Sequence, residues 1–172
     1  MKHKLLFATL LTASCTVSAP PAVYAAGHEK VLGIQGGFIS RNTGAEGGLF
    51  FQYGFSHIVR AELDASIAFR NKDRDAMLLD LNAQFPFHIS HRCELYPLAG
   101  LNYSSWSHHA RIPASESAGD DVTTRHGYFG LNAGAGFGCA VTPTLKFKAE
   151  AMFTAVKSNS AARIMVGIGY SF

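Results

Sequence analysis

The chain has 172 residues, a formal net charge of +3 at pH 7 and 48% hydrophobic residues. This length corresponds to one domain, and the small, scattered positive charge excludes a strongly basic nucleic-acid-binding protein. Beyond the N-terminal segment, no run approaches the roughly 18 uninterrupted apolar residues of a membrane-spanning helix, although the mean hydropathy of +0.09 is high for a secreted soluble protein.

The N-terminal segment has the features of a secretory signal peptide. Residues 2–4 are basic, residues 5–11 form an apolar core, and Ala25 is the small residue that a signal peptidase prefers. We therefore expect residues 1–25 to be a signal peptide and residues 26–172 to be the mature domain, outside the reducing cytosol.

The remaining sequence alternates between apolar and polar side chains with the two-residue period of a β-strand. In residues 59–70, apolar residues occupy every second position and Arg60, Glu62 and Asp64 lie between them, a pattern that no helix would produce. Pro86 lacks an amide donor and is expected near a strand end or at a bulge. The pattern predicts eight strands, which cover residues 30–39, 47–53, 59–70, 77–89, 93–106, 125–139, 145–154 and 163–172.

Two of these strands need closer reading. The phase of the fifth is ambiguous, and we assign Leu101 and Tyr103 to the outward face and Asn102 to the inward face. In the sixth, an inward row of glycines either leaves room for bulky partners across a narrow lumen or permits a sharp bend. Aromatic residues near predicted strand ends are expected to form the interfacial girdle of a membrane barrel. These are Tyr53, Tyr96, Tyr103, Trp106, Tyr128 and Tyr170.

An even number of alternating strands predicts an all-β fold, namely an eight-stranded antiparallel up-and-down transmembrane β-barrel. Such a barrel is apolar outside and polar inside, which explains the high hydropathy without a continuous apolar run. Closure also removes the unpaired sheet edges that lipid does not tolerate. Short connections after the second, fourth and sixth strands then share one end with both termini, and the longest polar stretch, residues 107–124, is expected to be a loop at the other end.

The C-terminal strand carries a resemblance to a known family. The chain ends with Gly167, two residues, Tyr170, one residue and a terminal Phe172. This ending resembles the C-terminal signal that bacterial outer-membrane β-barrels present to the barrel-assembly machinery, although Met165 stands where a polar residue is usual. With the length and strand pattern, it resembles the small outer-membrane barrels of the OmpA membrane domain, OmpX and opacity-like superfamily.

The resemblance implies several partners and a location. It places the mature chain in the outer membrane of a Gram-negative bacterium, in contact with outer-membrane lipids and lipopolysaccharide. The barrel-assembly machinery would be its partner during biogenesis. The implied role is structural or one of surface interaction, without catalysis, cofactor or nucleic acid.

Charged residues on the inward face are expected to neutralise one another. The interior of an eight-stranded barrel is just wide enough for side chains to fill it, and an unpaired buried charge costs several kcal/mol. We therefore predict a charge network that plugs the lumen in place of a conducting channel or an active site. Its members are Arg60, Glu62, Asp64, Asp80, Lys146, Lys148 and Glu150, with Arg70 and His88 also on this face.

The cysteines have more than one interpretation. Cys93 begins the fifth predicted strand and Cys139 ends the sixth, so both lie at the same end of the barrel. A disulfide is feasible if the Cα atoms come within about 7 Å, and two separate small residues are the alternative. Cys15 lies in the signal segment, where lipidation is an alternative to cleavage after Ala25.

The segment 107–124 is the predicted surface contact region, for lipopolysaccharide, a host molecule or an envelope protein. Its imidazole and carboxylate groups are of the types that bind divalent ions, but no ligand spacing is satisfied and we predict no metal centre. The residues concerned are His108, His109, Arg111, Asp120 and Asp121.

Two other functions remain open alternatives. A lipid A-modifying enzyme would need Ser, His and an acid to meet in space; Ser56-His57, His88 with Ser90, and Ser107-His108 supply residue types but no family motif, so no catalytic residue is predicted. A soluble periplasmic β-barrel carrier, of the lipocalin kind, would bury apolar side chains inside and turn the charged ones to solvent.

Overall fold

The computed structural model describes residues 28–40, 44–71, 74–110, 122–156 and 160–172. The predicted signal peptide lies outside these ranges, and both it and the start of the mature domain stay predictions. Among the described residues, no helix is long and apolar enough to cross a membrane. The strands are β1 (Lys30–Ile39), β2 (Gly44–Gly54), β3 (Arg60–Asn71), β4 (Arg74–Gln84), β5 (Phe87–His88), β6 (Cys93–Ala110), β7 (Val122–Ala140), β8 (Leu145–Val156) and β9 (Ala161–Ser171).

The strands form a closed antiparallel barrel. Each pairs with its neighbour in sequence, and β1 also pairs with β9, which closes the sheet. Both β4 and β5 pair with β6, so the two segments form one wall strand that is interrupted at Phe85 and Pro86. The prediction of an eight-stranded up-and-down barrel is confirmed, and so is the position of Pro86 at a break in a strand.

The two ends of the barrel differ in their connections. The turn end holds the start of β1, the end of β9 and the turns 55–59, 89–92 and 141–144, and strands β1, β3, β6 and β8 end at the opposite, loop end. At the turn end the C-terminus is tied down, since the Phe172 amide donates to the Lys30 carbonyl oxygen at 2.9 Å. The last strand is therefore paired up to the terminal residue.

The three turns are built alike. In each, two consecutive amides donate to one carbonyl oxygen, that of Val59, Cys93 or Leu145. The second residue of each turn is a Ser or Thr whose hydroxyl oxygen accepts a backbone amide, a local bond that favours turns. Ser56 and Ser90 thus have a structural role in the turns.

The wall separates an apolar outer face from a polar lumen. Leu63, Leu81, Leu101 and Leu131 lie side by side across four strands on the outer face, where each is 46–63% exposed. A soluble carrier would turn four charged residues to solvent, namely Arg60, Glu62, Lys148 and Glu150. None of them is more than 8% exposed. The phase is therefore the reverse of that of a carrier with an apolar interior. The phase assigned to the fifth predicted strand is confirmed, because Asn102 is 1% exposed and Leu101 is 59% exposed.

The hairpin of β6 and β7 is longer than the sequence pattern predicts. The two strands pair up to Ala110 and Val122, with His108 opposite Thr124 and His109 opposite Thr123. The prediction that the two histidines lie in a loop is therefore wrong. Backbone hydrogen bonds between strands do not require apolar side chains, so the pairing continues through polar residues. The β-branched residues Thr123 and Thr124 also favour a strand. Arg111, Asp120 and Asp121 lie outside the described residues.

Candidate functional site

The lumen is the candidate site, and three groups of ion pairs follow one another from the turn end. The group nearest the turn end contains Arg60, whose Nη1 donates to Glu94 Oε1 at 2.7 Å and whose Nε donates to Gln84 Oε1 at 2.6 Å. Its guanidinium carbon lies 5.0 Å from the centre of the Tyr96 ring, a cation–π arrangement. This pair is balanced, with one cation for one carboxylate.

Lys146, which the sequence predicts in the lumen network, contacts a carboxylate at the turn end. It lies half-buried at the turn-end rim, where its Nζ contacts Glu29 Oε2 at 2.5 Å, and Ser171 donates to the other Glu29 oxygen at 2.6 Å. His88, also assigned to the interior by its phase, is exposed at the same rim, 3.8 Å from Glu94. The side chain of Arg70 lies outside the described residues.

The middle group surrounds Lys148, which we call the lysine cluster together with Glu62, Asp64 and Glu150. The ammonium nitrogen lies 2.7 Å from Glu62, 3.1 Å from Glu150 and 3.7 Å from Asp64. Neutral donors complete the cluster, including the Tyr96 hydroxyl, which donates to Glu150 Oε1 at 2.8 Å. One cation here faces three carboxylates.

Phe50 supports the lysine from the opposite side. The Lys148 nitrogen lies 4.0 Å from the centre of the Phe50 ring. The ring in turn covers Gly33, Gly167 and Gly169, where an added Cβ atom would collide with it or come within 3.0 Å. Gly167 of the predicted C-terminal signal therefore also has a packing role, because an added Cβ atom there would crowd the Phe50 ring at 3.0 Å.

The third group surrounds Arg163, which we call the arginine cluster together with Glu46 and Asp80. The Arg163 Nε donates to both Glu46 oxygens at 3.0 and 3.1 Å, and Nη1 donates to Asp80 Oδ2 at 2.5 Å. Asn102 and Asn132 donate to the other Asp80 oxygen at 2.6 and 2.8 Å. The sequence interpretation named Asp80 as a lumen charge but missed Glu46 and Arg163, although both have inward parity in their strands.

Beyond the arginine cluster the lumen is filled by apolar side chains. We call this group the apolar cluster, and Tyr128 packs against it. Trp106 is its largest member and is 4% exposed. Its buried members are Ile39, Ala68, Ala76, Leu78, Trp106 and Ala161. Trp106, Tyr96 and Tyr128 were expected in the outer aromatic girdle, and this assignment is wrong. Tyr96 and Trp106 have the inward parity of β6 and fill the lumen, and Tyr128 has the inward parity of β7 and packs against the apolar cluster.

Inward glycines make room for this filling. At Gly136 an added Cβ atom would collide with the Tyr96 ring from the neighbouring strand, and at Gly138 it would lie 3.0 Å from Glu94 Oε1. Neither β6 residue would have space if β7 carried larger side chains. Of the two sequence-based interpretations of the glycine row, the contacts favour room for bulky side chains, but these come from the neighbouring strand β6 and not from across the lumen.

Cys93 and Cys139 lie opposite each other in β6 and β7 and are joined by a disulfide, with Cα atoms 4.2 Å apart. The bond closes the β6–β7 hairpin at the turn end, across a sequence separation of 46 residues. A loop of this length corresponds to about 4 kcal/mol of stabilisation in the chain-entropy account. The longest hairpin is thereby held covalently at the end away from its loop.

The described residues contain little that resembles a catalytic or metal site. Among them, no group of three or more His, Cys, Asp or Glu residues could hold a metal ion. The Ser56 hydroxyl accepts the Ile58 amide, and the Ser90 hydroxyl accepts the amides of Arg92 and Cys93, so both are used by the turns. Ser56 and Ser90 therefore have structural roles in the turns, and the side chain of His108 lies outside the described residues.

These features define a small transmembrane β-barrel with a side-chain-filled polar lumen. The chain belongs to the outer membrane protein beta-barrel domain family, whose model matches residues 5–172. The sequence-based resemblance to small outer-membrane barrels is thereby confirmed. No curated protein matches the chain in sequence.

Solved structures of small outer-membrane barrels share the fold. The N-terminal β-barrel domain of Pseudomonas aeruginosa OprF is similar at a TM-score of 0.68 and 17% identity, over 85% of this chain and 98% of that one. Neisserial surface protein A gives 0.65 and 18%, over 84% and 97% of the two chains. Ail, the attachment invasion locus protein of Yersinia pestis, gives 0.59 and 18%, over 85% and 99%. At these identities the likeness shows the fold alone.

Proposed function

We propose that the protein is a structural or surface-contact barrel of the Gram-negative outer membrane that neither conducts solutes nor catalyses a reaction. The lumen supports this proposal, since among the described residues each of the nine charged side chains in the three groups of ion pairs is at most 8% exposed. A lumen filled by bonded side chains leaves the ends of the barrel as the surfaces available for function.

Two measurements test this proposal on the purified full-length barrel. In planar lipid bilayers we expect no stable conductance steps, and in cells that overproduce the protein we expect the masses of lipid A to stay unchanged. A gel-mobility shift on boiling serves as the control that the barrel is folded. Stable conductance steps would reject the closed lumen, and a lipid A mass change that follows expression would reject the absence of catalysis.

The surface contact is proposed to lie in residues 107–124 at the loop end, with lipopolysaccharide, a host molecule or an envelope protein as the partner. The long β6–β7 hairpin supports this, because β7 is described from Val122 and its pairing with β8 begins only at Gly130. The hairpin therefore extends past the part of the wall that β8 provides. Arg111 would meet phosphate groups, and Asp120 and Asp121 would contact cationic partners.

Binding of lipopolysaccharide can be measured as a rise in the unfolding temperature in vesicles that contain it, relative to phospholipid vesicles. Deletion of residues 111–121 should abolish this difference while the folded barrel still shows its gel shift. Arg111→Gln should reduce the difference and Asp120→Asn should not. An unchanged difference after the deletion would refute this contact site.

We also propose that the chain is secreted with cleavage after Ala25 and assembled through Gly167, Tyr170 and Phe172. The exposure of Tyr170 and Phe172, 58% and 63%, on the strand that closes the barrel supports recognition before closure. Deletion of Phe172 should lower the amount of heat-modifiable protein in the outer membrane several-fold, and Ser171→Ala should have little effect. Equal amounts for both variants would contradict the signal.

A further inference from the structure

The β6–β7 hairpin has a strand edge at the loop end that the barrel wall does not use. β6 pairs with β7 as far as Val122, whereas β8 pairs with β7 only from Gly130 onward. Among the described residues, no strand pairs with the β8 side of residues 122–129, which we call the β7 edge. At about 3.3 Å per residue it is about 26 Å long, and its backbone N–H and C=O groups on that side are available to another strand.

The neighbouring part of the wall ends close to Gly130. Its partner in β8 is Val156, whose amide donates to Ser160 Oγ at 3.4 Å, while the Ser160 hydroxyl donates to the Val156 carbonyl oxygen at 3.3 Å. Only three residues lie between Val156 and Ser160. Three residues span at most about 11 Å, so this connection is too short to cover the β7 edge.

The β7 edge begins where the apolar belt ends. Tyr103 and Phe129 lie side by side on the outer face with their ring centres 5.0 Å apart, and Phe129 is 81% exposed. An exposed aromatic pair of this kind is typical of the girdle at the membrane interface. Residues 122–128 continue beyond the pair toward the loop end. They therefore lie on the water side, where an unpaired strand edge is tolerated, unlike in hydrocarbon.

The sequence of the β7 edge does not block strand pairing. Proteins commonly protect free edges with proline, lysine or a bulge. At the turn end, residues 85–88 extend past the first residue of β3, and this short edge contains Pro86. Residues 122–129 contain no proline, their only charged residue is Arg125, and residues 122–124 are β-branched and favour a strand. The longer edge is thus the less protected one.

From the free edge and its sequence we propose that the β7 edge pairs with the same edge of a second copy of this protein. Addition of a strand to an exposed sheet edge is a common mode of recognition, and a two-fold interface uses the same surface of both copies. An antiparallel pair of this kind has its two-fold axis perpendicular to the sheet. The two barrels therefore point their loop ends at each other, and the contact joins two apposed membranes.

The charge pattern of the edge selects one register. The two-fold axis keeps each face of the sheet on its own side, so residues of equal parity lie opposite each other. Two registers pair seven residues of each edge, centred on Arg125 or on His126. The first places Arg125 opposite Arg125, and like charges directly opposite are unfavourable. The second places Arg125 opposite Gly127 and Tyr128 opposite Thr124, an aromatic–β-branched pair that stabilises a sheet.

The test uses the full-length folded barrel in phospholipid vesicles without lipopolysaccharide, so its outcome is independent of the proposed lipopolysaccharide contact. Light scattering measures vesicle clustering, which the unchanged protein should cause. His126→Asp and His126→Lys should each reduce clustering several-fold, because like charges then face each other across the two-fold axis. Vesicles with the Asp variant mixed with vesicles carrying the Lys variant should cluster again. The matched control makes the same changes at His91, an exposed histidine of the turn end, and should leave clustering unchanged.

Cross-linking tests the register directly. In the selected register the two Cα atoms of residue 126 are about 4.5–5.5 Å apart, which is within the range of a disulfide. Oxidation should therefore convert His126→Cys, but not His91→Cys, into a covalent dimer on a non-reducing gel, and the gel shift on boiling confirms that each variant is folded.

Three results would overturn the proposal: dispersed vesicles with the unchanged protein, a mixture of the Asp and Lys variants of His126 that stays dispersed, or no cross-link at residue 126. A synthetic peptide of residues 123–129 should inhibit clustering. If the peptide binds the barrel while vesicles with the unchanged protein stay dispersed, the edge takes a foreign strand and the pairing of two copies is refuted.

Discussion

The two halves of the lumen are filled by different means. From the turn end to Arg163 the interior is held by ion pairs and charge-assisted hydrogen bonds, while the apolar cluster at the loop end is held by packing around Trp106. Both halves have the same kind of wall, so only the inward side chains distinguish them. The charged half depends on which groups are paired, because an unpaired buried charge is costly. The apolar half depends on filled volume.

The strongest test of the charged half removes its central cation. Lys148→Met should destabilise the barrel by about 3–5 kcal/mol, because it leaves three buried carboxylates without their ammonium partner. Urea titration of the folded fraction in lipid vesicles measures the change. Lys148→Arg, which keeps the charge, should cost less, and equal losses for the two variants would argue against pairing as the cause.

The matching test of the apolar half removes volume. Trp106→Ala should cost about 3–5 kcal/mol by leaving a cavity among Ile39, Leu78 and their neighbours. Trp106→Phe, which keeps most of the volume, serves as the control and should cost clearly less. A loss that shrinks as salt is added, as for a screened electrostatic interaction, would contradict a packing origin.

A smaller loss of stability is expected at Gly136 of β7, which makes room for the Tyr96 side chain of β6. Gly136→Ala should destabilise by about 1–3 kcal/mol, because the new methyl group meets the Tyr96 ring. In a Tyr96→Ala background the same change should be close to neutral. A double-mutant cycle of urea titrations measures the coupling, and an unchanged cost in that background would exclude the ring as the source.

The smallest effect is expected at the rim. Glu29→Gln removes the carboxylate that contacts Lys146, a pair that is only partly buried, and should cost less than about 1 kcal/mol. The change should also fall as salt is added, unlike the effect of Lys148→Met. A loss as large as that of Lys148→Met would remove the distinction between rim and lumen.

The alternation of side-chain direction along each strand allowed the fold to be predicted from the sequence. Alternation in residues 59–70 placed Arg60, Glu62 and Asp64 on one face without any knowledge of their neighbours, since side-chain direction in a strand is a local property. The same parity, applied to β6, would have placed Tyr96 and Trp106 inside. Their position near predicted strand ends was given more weight, and that led to the wrong assignment.

The ion pairs inside the lumen could not be predicted from the sequence in the same way. Arg163 meets Glu46 across 117 residues of sequence, and Lys148 meets Glu62 across 86. Which charges lie at the same height depends on the tilt and stagger of the closed barrel, and these are properties of the assembled sheet. The extent of the β6–β7 hairpin was also misjudged, because interstrand pairing continues through residues that are polar enough to form a loop.

The sequence by itself determined an eight-stranded antiparallel barrel, the inward face of Arg60, Glu62, Asp64, Asp80, Lys148 and Glu150, and the common end of Cys93 and Cys139. Each of these follows from the two-residue period of a strand and from the reversal of direction at every turn. Only the tertiary structure decided that, among the described residues, three buried cations serve six buried carboxylates, that Lys146 contacts Glu29 at the rim and that an apolar cluster fills the loop end. Distances across the lumen are set by closure of the sheet, which no local pattern encodes.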